Sequence, residues 1–331
     1  MIGIICNPQS GKDIRRLLTA ATTIDDTEKL NIVERIVLTI MAVKNQKIYI
    51  MPDRLGYGRM LKKKSLLPDY PQDLTKLEVY DMGMTETQSD TTFFASEMER
   101  IGADAMIILG GDGTNRAAAR GSRKVPSISL STGTNNVYPE MLEGTVAGMA
   151  AAVLSDESIP TEECVYPAKC IEIWKNGVLV DLALIDLVFC RNPFVGSKAI
   201  WDYGEIYRVL TTQCSMASIG FSSLVGTRLH VKREDPFGAM AEFTQEAPNT
   251  YAPMGAGAMQ KIHIKNEDFL MPDQWMTYEM HEQGTLALDG EREIFFKEGD
   301  IISCKLSLDG PKRVDVTKTV EYGRQRGFFE L

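Results

Sequence analysis

Ala105-Met106-Ile107-Ile108-Leu109-Gly110-Gly111-Asp112-Gly113-Thr114-Asn115-Arg116 runs from an apolar segment, through paired glycines, into a helix-forming stretch. Ala105 to Leu109 predicts a buried strand, and Asn115 to Arg120 predicts the start of a helix. A glycine-rich turn between the two brings backbone N–H groups close to a ligand, because no Cβ blocks the approach. Phosphates suit such turns. Asp112 puts a carboxylate between the glycines, where it could accept a proton or hold Mg²⁺. The same residues also fit a plain strand-to-helix turn with Asp112 as helix cap, and a short isolated motif leaves both readings open.

On either side of this segment the first half alternates strands with helices. Ile2–Cys6 predicts a strand, followed by the loop Asn7-Pro8-Gln9-Ser10-Gly11-Lys12. Thr27 to Met41 has helical spacing, with Leu30, Val33, Ile36, Val37 and Ile40 three and four residues apart. Lys47–Met51 predicts a strand and Thr87–Ile101 a helix. Val125–Leu130 is a further strand, ending at Ser131-Thr132-Gly133-Thr134-Asn135-Asn136, and alanine-rich Gly144–Leu154 is helical. Alternating β and α units argue for a parallel, Rossmann-like sheet covered by helices. Ligands in open α/β sheets bind at the carboxyl ends of the strands, where the loops at 7–12, 110–114 and 131–136 should lie. The 7–12 loop lacks the spacing of a Walker A motif. Its small polar groups suit phosphate, but also a turn into a helix. Thr132, Thr134, Asn135 and Asn136 offer hydroxyls and amides to ribose or phosphate oxygens, or a helix cap.

Near residue 160 the pattern changes to short β-like runs, among them 168–174, 178–185, 258–264, 285–288, 293–296 and 301–306. Asn176-Gly177 and Asp289-Gly290 are hairpin signals. Residues 197–211 are expected to be a helical interruption. The division is therefore α/β at 1–158 and antiparallel, β-sandwich-like at 159–311.

The 331 residues carry a formal net charge of −9, which disfavours general binding to nucleic acid or to anionic membranes. None of the six cysteines forms a C-x-x-C pair and there are three histidines, so a structural zinc site and a nucleophile–His–acid triad both lack support. Cysteines within strand-like runs point to buried thiols and a reducing cytoplasm. No apolar run reaches the roughly 18 residues of a membrane helix. The expected partners are a nucleotide and a small-molecule acceptor, without stable membrane association, in a homo-oligomer.

Gly110-Gly111-Asp112-Gly113-Thr114 resembles the signature of NAD kinases, diacylglycerol- and sphingosine-type lipid kinases and the ATP-NAD kinase/AcoX group. Asn7-Pro8-Gln9-Ser10-Gly11 resembles the N-P-x-S-G segment at the start of this superfamily. Thr132 to Asn136 is similar to its G-T-G-N-D and G-T-x-N-x loops, with Asn136 where lipid kinases carry an aspartate. Leu182 to Val188 resembles the Asn-Glu/Asp segment of NAD kinases, except that Ile185 replaces the asparagine while Asp186 keeps the acid. Phe194 to Asp202 looks closer to AcoX-type proteins. Met216 to Ser222, with Ser218, stands near the T-G-S-T-A-Y stretch of NAD kinases. Asp289-Gly290-Glu291 resembles the D-G-E of bacterial lipid kinases.

The resemblance implies an ATP- and Mg²⁺-dependent kinase whose two domains face each other across a cleft, with the chain after about residue 312 returning to the first. Asp112 and Glu291 would be catalytic, with Asp112 also on the metal. Asn7, Ser10, Gly110, Gly111, Gly113, Thr114, Asn115, Thr132, Gly133, Thr134, Asn135 and Asn136 would surround the nucleotide. Asp186, Ser218 and Asp289 would meet the acceptor. A lipid kinase and a non-catalytic nucleotide-binding regulator are the alternatives.

Overall fold

The structure is a computed structural model that describes residues 1–8, 24–133, 136–160, 162–191 and 203–331. Ser10, Thr134, Asn135 and the segment 194–202 lie outside the described residues. The first half runs β1 (Ile2–Cys6), α1 (Asp26–Val43), β2 (Ile48–Ile50), α2 (Tyr57–Lys64), β3 (Leu77–Val79), α3 (Gln88–Arg100), β4 (Ala105–Leu109), α4 (Asp112–Gly121), β5 (Ser127–Leu130), α5 (Gly144–Leu154) and β6 (Val165–Pro167). Strands β1 to β5 form a parallel sheet in the order β3-β2-β1-β4-β5. β4 is buried on both faces, because its side chains alternate between two cores. Ile107 and Leu109 pack with Ile36 and Val37 of α1 and Ala147 and Ala151 of α5, whereas Met106 and Ile108 pack with Phe94 and Met98 of α3 and Ala118 of α4. A near-continuous apolar strand is what a sheet covered by helices on both sides requires.

The second half contains β7 (Cys170–Lys175), β8 (Val178–Ala183), β9 (Asp186–Cys190), β10 (Ile206–Thr211), α6 (Phe221–Gly226), β11 (Gly238–Thr244), β12 (Thr250–Gly255), β13 (Ala258–Leu270), β14 (Met276–Glu279), β15 (Gly284–Leu288), β16 (Glu291–Phe296) and β17 (Ile301–Ser307). Two antiparallel sheets, ordered β12-β13-β11-β10-β9-β15-β16 and β14-β17-β7-β8, enclose a core of Ile171, Phe189, Leu210, Leu286, Ile302 and Leu306. Phe221, Leu224 and Val225 of α6 cover the other face of the longer sheet. Asn176 and Gly177 turn between β7 and β8 with φ of 52° and 80°, the geometry of a two-residue hairpin.

Of residues 197–211, the described portion holds a single 3₁₀ turn at Tyr203–Glu205 in place of the expected longer helix. Ile206–Thr211 is strand β10, paired with β9 on one side and β11 on the other. Local spacing read as helical is overridden there, because hydrogen-bonded neighbours on both edges bury Ile206, Val209 and Leu210. The chain then returns to the first sheet. β18 (Lys312–Val314) pairs in parallel with β5 and antiparallel with β6, and α7 (Val316–Gln325) follows. Val314 and Val316 join the core beneath α1 and α5.

All six cysteines are buried free thiols. Among the described residues no helix is long and apolar enough to cross a membrane.

Candidate active site at the glycine loop

β4 delivers the chain to the glycine loop, where the Gly110 N–H donates to the Leu130 carbonyl at 3.0 Å. None of Gly110, Gly111 and Gly113 has a positive φ. What the loop needs from glycine is therefore the missing Cβ. A Cβ on Gly110 would stand 2.6 Å from the Thr114 Cβ, one on Gly111 2.9 Å from Asn136 Oδ1, and one on Gly113 3.3 Å from Glu291 Oε1. The protein's own side chains close onto the loop, and they would shape whatever binds there.

Helix α4 begins at Asp112 rather than at Asn115. Gly111 is its N-cap residue and offers no side-chain cap. The Gly111 carbonyl accepts the Asn115 N–H at 3.1 Å and Asn115 Nδ2 at 2.9 Å. First-turn N–H groups have no intrahelical partner and sit at the positive end of the helix dipole, which favours an anion.

Asp112 does not act as the cap of its own helix. Its Oδ1 accepts the Tyr138 N–H at 2.9 Å, and its two oxygens share the Val137 N–H at 3.1 and 3.2 Å. The Val137 carbonyl in turn accepts Gln213 Nε2 of the β half at 3.3 Å. One carboxylate thus ties the glycine loop to the wall of a cleft of about 340 Å³, lined among others by Val137, Gln213, Ser215, Ser218, His230 and Lys232. Ser218 lies in that wall and donates to the Ser215 carbonyl at 2.6 Å.

The neighbouring strand ends complete the cradle. Asn7 Nδ2 donates to Thr114 Oγ1 at 3.0 Å. Asn136 Nδ2 donates to Ser131 Oγ at 2.8 Å and to the Gly133 carbonyl at 3.3 Å. Thr132 is fully buried, and Asn115 is buried with no hydrogen-bond partner at Oδ1 among the described residues. Asn7, Gly110, Gly111, Thr114, Asn115, Thr132, Gly133 and Asn136 therefore gather at the carboxyl ends of β1, β4 and β5.

The acids of the β half separate into two kinds. Asp289 and Gly290 have φ of 49° and 86° and form the turn between β15 and β16. The Asp289 side chain is entirely buried, and it accepts the N–H groups of Leu184, Ile185 and Asp186 at 3.0, 2.7 and 3.2 Å. Burial pushes its carboxyl up to about 6, against the pull of Arg116 and these donors. The acceptor contact expected of Asp289 is corrected accordingly: its carboxylate is turned inward and braces the backbone between β8 and β9. Asp186 is likewise buried at the start of β9. Ile185 packs at the junction of the two halves with Ala119, Tyr138 and Leu184.

Glu291, by contrast, faces the glycine loop. Its Oε2 accepts Gln88 Nε2 at 2.8 Å, and its Oε1 sits against Gly113, the neighbour of Asp112. The two carboxylates proposed from sequence reach the first turn of α4 from opposite halves of the molecule.

Three residues here were not singled out from sequence. Arg116, fully buried, pairs with Asp181 at 2.8 Å and Asp289 at 3.7 Å, and it donates to Gln88 Oε1 at 3.5 Å. A lone arginine before Ala117-Ala118-Ala119 and a lone acid in Val178-Leu179-Val180-Asp181-Leu182 were the available signals. Gln88 had none, because its partners are distant in sequence.

Among the described residues no three His, Cys, Asp or Glu side chains are grouped to hold a metal. Asp112 still suits Mg²⁺, which keeps several waters and takes one or two carboxylates plus substrate phosphates.

Comparison with known proteins finds a family match in each half. Residues 2–158 match the ATP-NAD kinase N-terminal domain, and residues 169–309 match the acetoin catabolism protein X C-terminal domain. The chain is 31% identical to acetoin catabolism protein X of Cupriavidus necator, over 97% of this chain and 92% of that protein. It is 25% identical to an NAD kinase of Citrifermentans bemidjiense over 72% of this chain and 79% of that one. Among solved structures, yeast NADH kinase complexed with NADH superposes with a TM-score of 0.55 at 14% identity, covering 100% of this chain and 88% of that chain.

Proposed function

The chain belongs to the acetoin catabolism protein X family, and from that premise we propose that it is a phosphotransferase moving the γ-phosphoryl group of ATP to a hydroxyl of a small-molecule acceptor. The observation that carries this reading is Glu291 of the β half lying against Gly113, beside Asp112, at a helix N-terminus with no side-chain cap. Phosphoryl transfer needs positioning and charge neutralisation more than covalent chemistry. The N–H groups of Gly111 and Gly113 hold phosphate oxygens, and Asn7, Thr114, Asn115, Thr132, Gly133 and Asn136 shape the nucleotide end. The acceptor enters by the cleft that contains Ser218. Glu291 accepts the proton of its hydroxyl as the oxygen–phosphorus bond forms and the bond to the ADP oxygen breaks. Asp112, already tethered to Val137 and Tyr138, is the carboxylate that would hold Mg²⁺. The metal, when bound, neutralises charge on the transferring phosphoryl group.

The test measures ATP-dependent phosphorylation across a panel of small hydroxyl compounds by ADP release, with Mg²⁺ titrated, for wild type, Asp112→Asn and Glu291→Gln. Each substitution should lower turnover on the order of 10²-fold or more, with the fold retained. Wild-type turnover in both variants would remove the two carboxylates from the chemistry, and a wild type that binds no ATP would end the kinase reading.

A further inference from the structure

We propose that Gln88 is a positioning residue that sets the orientation of the Glu291 carboxylate, with Arg116 dictating which end of the Gln88 amide faces it. The inference rests on the reading of Glu291 as the group that accepts the acceptor proton.

The chain of constraint starts at Arg116. Its guanidinium has donors only, and it is fixed by full burial between Asp181 and Asp289. Any group beside it must present an acceptor. The Gln88 side chain meets that demand with Oε1, 3.5 Å from an Arg116 terminal nitrogen. Once the amide oxygen faces the arginine, the amide NH₂ must face the other way. It points at Glu291 Oε2, 2.8 Å away. Glu291 is then held as an acceptor at Oε2, which leaves Oε1 toward Gly113 and the first turn of α4. The donor-only guanidinium decides which way the amide faces.

The support beneath Gln88 is rigid. It is the first residue of α3, directly after the N-cap Thr87. Thr92 Oγ1 donates to the Gln88 carbonyl at 3.3 Å and to the Ala117 carbonyl at 2.8 Å, which ties the start of α3 to α4. Gly121 brings the two helices so close that a Cβ there would stand 2.0 Å from the Thr92 carbonyl oxygen. Gln88 therefore reads the position of α4 and passes it to a carboxylate of the opposite half. A side chain locked in this way holds a reacting group more closely than a mobile loop does.

The experiment compares wild type, Gln88→Met and Gln88→Glu by ¹³C NMR titration of the Glu291 carboxyl, assigned by its disappearance in Glu291→Gln. Methionine keeps the length but loses the donor, so the Glu291 carboxyl should hold its proton more tightly than in wild type. Glutamate adds a like charge and should tighten that hold further. Turnover should fall with the same ranking and by more than KM for ATP rises, because the Gln88 amide bonds Glu291 directly and only borders the nucleotide cradle at Gly113. A purely structural role would leave the Glu291 titration alone. An unmoved titration in both variants overturns the proposal, as does a change in the opposite order. A titration that moves as expected in a protein whose Glu291→Gln form keeps full turnover supports the positioning and refutes the catalytic reading on which it rests.

Discussion

Replacing Arg116 with methionine separates two effects that the structure joins. The guanidinium is fully buried, 2.8 Å from Asp181 and 3.7 Å from Asp289, and those two side chains are themselves only 5% and 0% exposed. Methionine fills much of the volume, so the loss is chiefly electrostatic. Removing one member of a buried pair costs about 3–5 kcal/mol, because the remaining charge is stranded. Asp181 keeps the Leu182 N–H at 2.8 Å and Arg120 at 3.6 Å, and Asp289 keeps three N–H donors. The lower end of that range, about 3 kcal/mol near neutral pH, is therefore expected.

The loss should also depend on pH. Arg116 pulls the Asp289 carboxyl down, yet burial still leaves it at about 6. Without Arg116 the folded-state pKa climbs above 6, while that of the unfolded chain stays near the ordinary carboxylate value. Relative to wild type, the folded variant then binds extra protons over a window that begins near pH 6 and extends upward, and its stability deficit against wild type grows as pH rises through that window. Every tenfold gain in the proton affinity of the folded state costs about 1.4 kcal/mol above the window. Urea unfolding by far-UV circular dichroism, integrated over all transitions, should give a larger deficit at about pH 8 than at about pH 5. A deficit under about 1 kcal/mol at both pH values, or one that grows toward acid, would refute the buried-pair account.

Two further outcomes follow from the site. Gly111→Val and Gly113→Val force Asn136 and Glu291 off the loop, since even a Cβ would stand 2.9 and 3.3 Å from their oxygens. ATP affinity by calorimetry should drop about tenfold or more, with a stability loss of about 1–3 kcal/mol, and unchanged affinity would show that the loop does not hold phosphate. NAD should be a poor acceptor, because Ile185 packs at an apolar junction where the resemblance to NAD kinases calls for an asparagine. A missing buried hydrogen bond is worth about 0.5–1.5 kcal/mol, and more when its partner is left unpaired. Rapid formation of NADP from ATP and NAD by the purified protein would reverse that conclusion.

Much of the α/β half was legible because its signals are local. The apolar run of β4, the glycines after it and the three- and four-residue spacing of α1 are each set by a few consecutive residues. The position of Glu291 beside the glycine loop was readable only through resemblance, since a D-G-E stretch by itself describes a turn. Helix α4 starts earlier than local preference indicates, because Asp112-Gly113-Thr114 is weakly helical and only the packed α3–α4 pair draws it into the first turn.

The sequence by itself determined the period of each strong element, the change from alternating βα units to β hairpins, and the chemistry offered by Gly110 to Thr114. Each of those depends on neighbours within a few positions. Only the tertiary structure decided that Ile206–Thr211 is a strand, that Asp289 turns inward while Glu291 turns to the loop, and that Gln88 and Arg116 stand between the halves. Those outcomes depend on contacts across long sequence separations. There, the cost of burying a charge or leaving a strand edge unpaired outweighs any local preference.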